Sequence, residues 1–212
     1  MSHLLVVING DIHDYDFYKD KLKDIDQVIA VDGGSRHVDK LGLKADVLLG
    51  DFDSISSYDG FLSRHPQAQV IQFPSRKNFT DSELAVEFAI EQKPDKVTLI
   101  GCIGTRMDHT FATVLLLKKF LDAGVDACMV DESNEIRLID SDYEIQGKIG
   151  ELMSIVPVGG SAKGIYLHGF EYPLTDATLD LGSSTGISNV FASEKALIKL
   201  REGLLLVFKS RD

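Results

Sequence analysis

Leu4-Leu5-Val6-Val7-Ile8, followed at once by Asn9-Gly10-Asp11, sets the reading of this chain. Five apolar residues without polar alternation fit a strand buried on both faces, as in a parallel sheet. The abrupt change to Asn-Gly-Asp fits the carboxyl end of such a strand, where open parallel sheets place their ligand crevices. The same pattern recurs. Gln27–Val31 precedes Asp32-Gly33-Gly34, Val47–Leu49 precedes Gly50-Asp51-Phe52-Asp53-Ser54, and Val97–Ile100 precedes Gly101 to His109. Between these lie helical segments at Ser35–Leu41, Tyr58–Arg64, from Thr80 to about Gln92, and from Asp108 to Ala123. Thr80-Asp81-Ser82-Glu83 reads as a capping box, and Gly124 is placed to stop the last helix. Gln69–Phe73 and Cys128–Val130 complete the strands. Alternating strands and helices imply a parallel sheet covered on both faces.

Near residue 132 the helical periodicity disappears. Short strand signals follow at Glu135–Ile139, Glu151–Val156, Gly164–Phe170, Ala177–Leu181, Lys195–Leu200 and Leu204–Phe208, with Arg201-Glu202-Gly203 as the turn of a final hairpin. The expected architecture is therefore α/β: a parallel-sheet, Rossmann-like amino-terminal domain over 1–131, then a small all-β sandwich domain over 132–212.

With 212 residues, 44% of them hydrophobic, the chain can bury a core without staples. Acidic residues outnumber basic ones 33 to 22, for a net charge of −11. That excludes a general nucleic-acid binder and a polybasic membrane binder, both of which rely on basic surface. It leaves room for a nucleotide substrate, because a few cations and a metal can hold phosphates in an acidic protein. Cys102 and Cys128 make no disulfide framework and read as reduced thiols. Leu4–Ile8 is too short for a signal-peptide core and nothing approaches a membrane span, so a cytoplasmic location is expected.

The unusual polar residues follow the strands. Asp51 and Asp53, two apart in an extended segment, point to one side and can share a hard cation; Mg²⁺ takes one or two carboxylates plus substrate phosphates. An acidic solvated turn is the alternative. Asp32-Gly33-Gly34 can form a tight turn whose glycines allow positive φ and close ligand approach. Asp81, in the first turn after Thr80, serves either the helix dipole or a metal as a third carboxylate. Lys77 just upstream can reach phosphate, and the fork of Arg106 matches phosphate oxygens. Asp108 and His109 open the long helix, where the dipole disfavours a charged imidazole. The histidines lack ligand spacing for zinc. Neither GxGxxG nor GxxxxGK[ST] occurs. Gly182 to Asn189 is dense in small hydrogen-bonding groups. It reads as a loop or as the polar wall of a pocket for a small organic substrate.

These segments resemble the bacterial-type thiamin pyrophosphokinases (thiamin diphosphokinases) over essentially the whole chain. The likeness rests on Asp32-Gly33-Gly34, Gly50 to Ser54, Lys77 to Asp81, Gly101 to His109, Tyr172-Pro173-Leu174 and Gly182-Ser183-Ser184 with Ile187-Ser188-Asn189. The resemblance implies transfer of a pyrophosphoryl group from ATP to the hydroxyl of thiamin, with Mg²⁺ as the metal. It implies a homodimer with sites shared between subunits. By the same resemblance Asp51, Asp53 and Asp81 hold the metal, and Lys77 and Arg106 act on the transferring group. Asp11, Asp32, Gly33, Gly34, Thr80, Asp108 and His109 lie on the nucleotide side, and Ser184, Ser188 and Asn189 contact thiamin. The chain departs from the family pattern at Asn78, Thr105 and Thr113, and has no Trp to stack on thiamin. A pyrophosphokinase acting on a pterin alcohol, and a metal-dependent nucleotidyltransferase using Asp51 and Asp53, stand as alternatives.

Overall fold

The computed structural model describes residues 1–52, 58–74 and 78–211, and the chain divides into two compact units, Met1–Glu132 and Ser133–Asp212. In the first, β1 (His3–Val7), α1 (Tyr15–Lys21), β2 (Gln27–Val31), α2 (Ser35–Lys40), β3 (Val47–Gly50), α3 (Tyr58–Arg64) and β4 (Gln69–Gln72) follow in order. Then come α4 (Asp81–Glu91), β5 (Lys96–Ile100), α5 (Met107–Leu115), α6 (Leu117–Asp122) and β6 (Asp126–Val130). The six strands pair in parallel in the order β4-β3-β2-β1-β5-β6. Successive strands run outward from β1 to β4, and β5 then returns to the other side of β1. The order therefore reverses at β1/β5, which opens a crevice outside the strand ends.

Leu4, Leu5, Val6 and Val7 are all buried, as the unbroken apolar run requires for a strand covered on both faces. Leu5, Val7, Val28, Ala30 and Leu48 belong to one core with Ile12, Tyr18, Val38 and Phe61.

The helix expected over 108–123 is two helices meeting at Leu116. The Thr113 hydroxyl donates to the His109 carbonyl at 2.8 Å, a back-bond that bends helices. Helix α1 is not among the helices expected from the sequence. It is short and half charged, and it is held by Asp14, whose carboxylate accepts the N–H groups of Asp16 and Phe17.

The second unit holds β7 (Asn134–Ile139), β8 (Tyr143–Gln146), β9 (Leu152–His168), β10 (Ala177–Leu179), β11 (Asn189–Val190), β12 (Lys195–Lys199) and β13 (Glu202–Ser210). Among the described residues all its strand pairings are antiparallel. The two strands expected at 151–156 and 164–170 are one 17-residue strand, β9. Its first part pairs with β13 and β11, and its end pairs with β12. Gly159, Gly160 and Gly164, all at positive φ, lie where the pairing changes hands. The expected final hairpin does not form. β12 pairs with β8 and β9, and β13, which already begins at Glu202, with β7 and β9, so Leu200 and Arg201 join strands that share β9 as a neighbour. The core gathers Met153, Ile155, Ile165 and Leu167 of β9 with Phe191, Ile198, Leu205 and Val207. Among the described residues no helix is long and apolar enough to cross a membrane.

Asp32-Gly33-Gly34 forms a single 3₁₀ turn into α2. The positive φ expected of its glycines falls on Asp32 instead, at 47°. The glycines are needed for space. A Cβ on Gly33 would strike the Asn9 amide, and one on Gly34 would strike the Val7 carbonyl oxygen. Because Gly34 has φ −59°, Gly34→Ala carries no backbone strain of its own. The expected cost is about 1–3 kcal/mol from overpacking alone, read as a lower urea midpoint with unchanged slope.

Candidate active site

The loops that leave β1, β2, β3 and β5 meet in one cleft of about 520 Å³ within the first unit. Its floor is backbone. Ile8 N–H donates to Ile100 O at 2.9 Å, Gly10 N–H to Gly101 O at 2.7 Å, and Asp11 N–H to Ile103 O at 2.7 Å. These bonds carry the β1/β5 pairing past the strand ends. The approach is so close that a Cβ on Gly10 would collide with the carbonyls of Gly101 and Ile103, and one on Gly101 (φ 65°) with that of Ile8.

Asp11, Asp32, Asp51, Thr80, Asp81, Arg106 and His109 all line this cleft. Asn9, Ser82, Thr105, Thr110 and Thr113 line it too, although none of them is among the site residues expected from the sequence. Position after a strand was the signal that could have found Asn9. The Thr110 hydroxyl accepts the Gly104 N–H at 3.2 Å and so fixes the loop over α5. Cys102 also lines the cleft, but burial pushes its thiol well above the ordinary range.

Thr80 caps α4 by accepting the Glu83 N–H at 3.2 Å. The capping box is only half made, because the Glu83 carboxylate pairs with Lys119 at 3.0 Å. Asp81 then sits in the first turn, facing the cleft. Gly33 and Gly34 are behind the wall, packed on Asn9 and Val7.

The chain leaves β3 through Phe52 at φ 66°, with that ring packed against the core. This is not the extended segment from which the sequence put Asp51 and Asp53 on one side. Asp53 and Lys77 lie outside the described residues. Four carboxylates in the cleft give a hard-oxygen donor set, the chemistry that suits Mg²⁺. Among the described residues no three His, Cys, Asp or Glu side chains form a ready metal cluster. The sequence counted His65 among residues without ligand spacing. It accepts the Ala45 N–H through Nδ1 and holds Asp39 through Nε2.

Asp108 does not line the cleft. It grips the Arg106 fork, with Nε 3.2 Å from Oδ1 and Nη2 2.6 Å from Oδ2. The guanidinium holds the Asp108 carboxyl below the usual carboxylate range. Both side chains are about two-thirds exposed, at 68% and 66%, so water screens the pair. A phosphate, with more charge and the same bidentate geometry, can take the fork from Asp108.

The second unit has its own pocket of about 430 Å³, lined by Leu167, Tyr172, Leu174 and the run Ser184–Asn189. Ser184 and Ser188 are exposed on it. Asn189 is buried and serves the backbone. Its Oδ1 accepts the Tyr172 and Val190 N–H groups at 3.1 and 2.8 Å, and Nδ2 donates to Tyr172 O at 2.7 Å. It therefore fixes the loop that carries Tyr172, an exposed aromatic ring on the pocket that the sequence analysis did not place among the site residues.

The first unit thus holds an acidic cleft at the switch point of a parallel sheet, and the second, antiparallel unit holds a polar-walled pocket of its own. Residues 18–129, more than half the chain, match the family model described as thiamin pyrophosphokinase, catalytic domain. Residues 138–205 match thiamin pyrophosphokinase, vitamin B1 binding domain. The chain belongs to the thiamin pyrophosphokinase family. It is 27% identical over 186 residues to the thiamine pyrophosphokinase of Bacillus subtilis, with 87% of each chain covered. The crystal structure of Bacillus subtilis thiamine pyrophosphokinase superposes with a TM-score of 0.91 at 26% identity, covering 100% of both chains. The Candida albicans thiamin pyrophosphokinase structure shares the fold, with a TM-score of 0.81 at 13% identity over 99% of this chain and 89% of that one.

Arg106→Lys keeps the charge and loses the fork. Turnover should fall by about tenfold or more while the unfolding midpoint stays put, since the exposed ion pair carries little stability. Steady-state kinetics beside a thermal melt check this. A lowered midpoint with normal kcat would make Arg106 a structural residue.

Proposed function

We propose that this enzyme transfers the terminal pyrophosphoryl group of ATP to the hydroxyl of thiamin, giving thiamin diphosphate and AMP. The observation that carries the reading is the cleft itself. The Arg106 fork and the carboxylates of Asp11, Asp32, Asp51 and Asp81 line one cleft at the switch point. That cleft lies within the segment matched by the family's catalytic model.

Transfer of this kind asks the protein mainly for alignment and charge neutralisation. The thiamin oxygen attacks the β-phosphorus as the bond to the α-phosphate oxygen breaks, AMP departs, and the hydroxyl proton is released. Asp51 and Asp81, with Asp53, would hold Mg²⁺, which when bound neutralises phosphate charge. Arg106, freed from Asp108, and Lys77 steady the moving group. Asp11, Asp32, Thr80 and His109 form the nucleotide side, while Gly33 and Gly34 act by letting the wall close on Asn9. In the second unit Ser184 and Ser188 meet thiamin, and Asn189 contributes by holding Tyr172. The negative field of the chain suits a thiazolium cation. Two buried cysteines outside any disulfide accord with a reducing, cytoplasmic setting.

We further propose that the enzyme works as a homodimer, with the cleft of one subunit served by the pocket of its partner. Met107, Phe111 and Leu115, four apart on α5, are 71%, 61% and 43% exposed, an apolar stripe suited to cover by a second copy.

With MgATP, the purified enzyme should release AMP stoichiometrically with thiamin diphosphate, and not with a hydroxymethylpterin. Asp51→Asn should lower turnover by about 10²-fold or more with the fold retained. Pyrophosphate as product, or near-normal turnover in Asp51→Asn, would overturn the assignment.

Subunit mixing tests the shared site. Asp51→Asn disables the cleft, and Ser184→Trp fills the pocket. Each variant alone should be inactive, and equal mixing after subunit exchange should restore about a quarter of wild-type activity if sites are independent. No recovery after verified exchange would place the whole site in one chain.

A further inference from the structure

Among the buried polar residues that the mechanism above leaves unused, one stands directly behind the cleft wall. His37, on α2, is 2% exposed. Its Nε2 stands 2.8 Å from the carbonyl oxygen of Gly10. That oxygen can only accept, so Nε2 carries the proton. In the neutral ring Nδ1 is then an acceptor, and the Tyr15 hydroxyl donates to it at 2.7 Å. Arg36 Nη2 donates to the same Gly10 oxygen at 3.1 Å. The N–H of Gly10 is itself committed to Gly101. A chain of hydrogen bonds thus runs from Tyr15 through His37 to Gly10 and on to Gly101. It ties α1 and α2 to the loops after β1 and β5. Asn9, Gly10 and Asp11 are cleft wall.

We propose that His37 is a positioning residue for the reaction: its Nε2–H tautomer, held by the Tyr15 hydroxyl, fixes the Asn9–Asp11 wall in the conformation that meets the nucleotide. This rests on the reading that the cleft is where ATP and thiamin react. The charged and titratable groups facing the ring are Tyr15 from α1, Arg36 and Lys40 from α2, and Asp11 from the loop after β1. Lys40 also lies over the Tyr15 ring, 5.2 Å from its centre. Burial lowers the proton affinity of His37, and Arg36 and Lys40 lower it further, against the Gly10 carbonyl and Asp11. Because the folded-state value lies below the unfolded one of about 6.5, neutral His37 contributes stability above that pH and loses it as pH falls through the folded value. Charging the ring makes Nδ1 a donor. The Tyr15 hydroxyl must then turn its proton away and accept, and the wall carries a buried cation beside Arg36.

Four proteins decide it: wild type, Tyr15→Phe, His37→Gln and His37→Leu. Equilibrium binding of MgATP without thiamin, and kcat and KM against pH, are measured on each. His37→Leu should weaken MgATP binding about tenfold and raise the KM for ATP more than it lowers kcat. His37→Gln offers an amide N–H to Gly10 and cannot titrate, so it should bind MgATP almost normally and lose the acid limb of the profile. Tyr15→Phe removes the donor that favours the neutral ring, so its acid limb should move to higher pH. If Tyr15→Phe and His37→Gln follow the wild-type profile and His37→Leu only melts earlier, the ring merely packs and the proposal falls. Should wild type bind MgATP in a His37-dependent way yet make no AMP with thiamin, the functional reading fails and the positioning role stands. MgATP binding that ignores all three substitutions defeats the positioning role, whatever the turnover.

Discussion

The contact on which the site depends is backbone against backbone. Past the ends of β1 and β5, Gly10 and Gly101 lie so close that neither tolerates a side chain, and the N–H groups of Ile8, Gly10 and Asp11 cross the gap between the two loops. A parallel sheet reverses its strand order at this point, so its neighbours on either side turn away and leave a crevice. Were the two loops to splay, the carboxylates after β2 and β3 would face Arg106 across an open gap. The glycines are thus structural in the strict sense: they set the distance between the acidic and the cationic walls.

The same economy recurs around the cleft, where groups that carry charge are steadied by groups that carry none. Thr110 secures the Gly104 loop and Thr80 opens α4. The backbone N–H groups of His13 and Asp14 are gathered by the Glu132 carboxylate at 2.7 and 2.9 Å. Burial works against that carboxylate, yet the backbone donors around it leave it below its ordinary range. Asp108 occupies the Arg106 fork at the surface, where water keeps the pair weak enough to exchange.

Much of this was legible in the residues. Strands such as Leu4–Ile8 and Val97–Ile100 announce themselves because burial on both faces forbids polar alternation. Asp11, Asp32, Asp51 and Asp81 were found by their position after such strands or at a helix start. What failed to show had physical causes. The glycines after Asp32 read as a left-handed turn, because a sequence does not tell conformational freedom from lack of room. Asp108 and Asn189 are expected as ligand contacts by resemblance alone, and in the structure their polar atoms are engaged by Arg106 and by the Tyr172 and Val190 backbone. Strand β9 reads as two strands because its glycine-marked middle looks like a loop, although the pairing continues through it. The step at Leu116 follows from a side chain bonding one turn back, which leaves the apolar period of the helix unchanged.

That long strand also bears on how the chain is made. The first unit has all six of its strands by residue 130, joined by short crossings that close as they emerge. The second unit cannot close so early. β13, whose residues come after every other strand, is the neighbour of both β7 and the first part of β9. Until it is synthesised, one edge of β9 stays unpaired and its apolar face lacks Leu205 and Val207. A nascent chain would therefore carry a finished catalytic unit and an unfinished vitamin-binding unit until β13 has emerged. The exposed strand edge in that interval is where a chaperone, or a neighbouring nascent chain, would make its first contact.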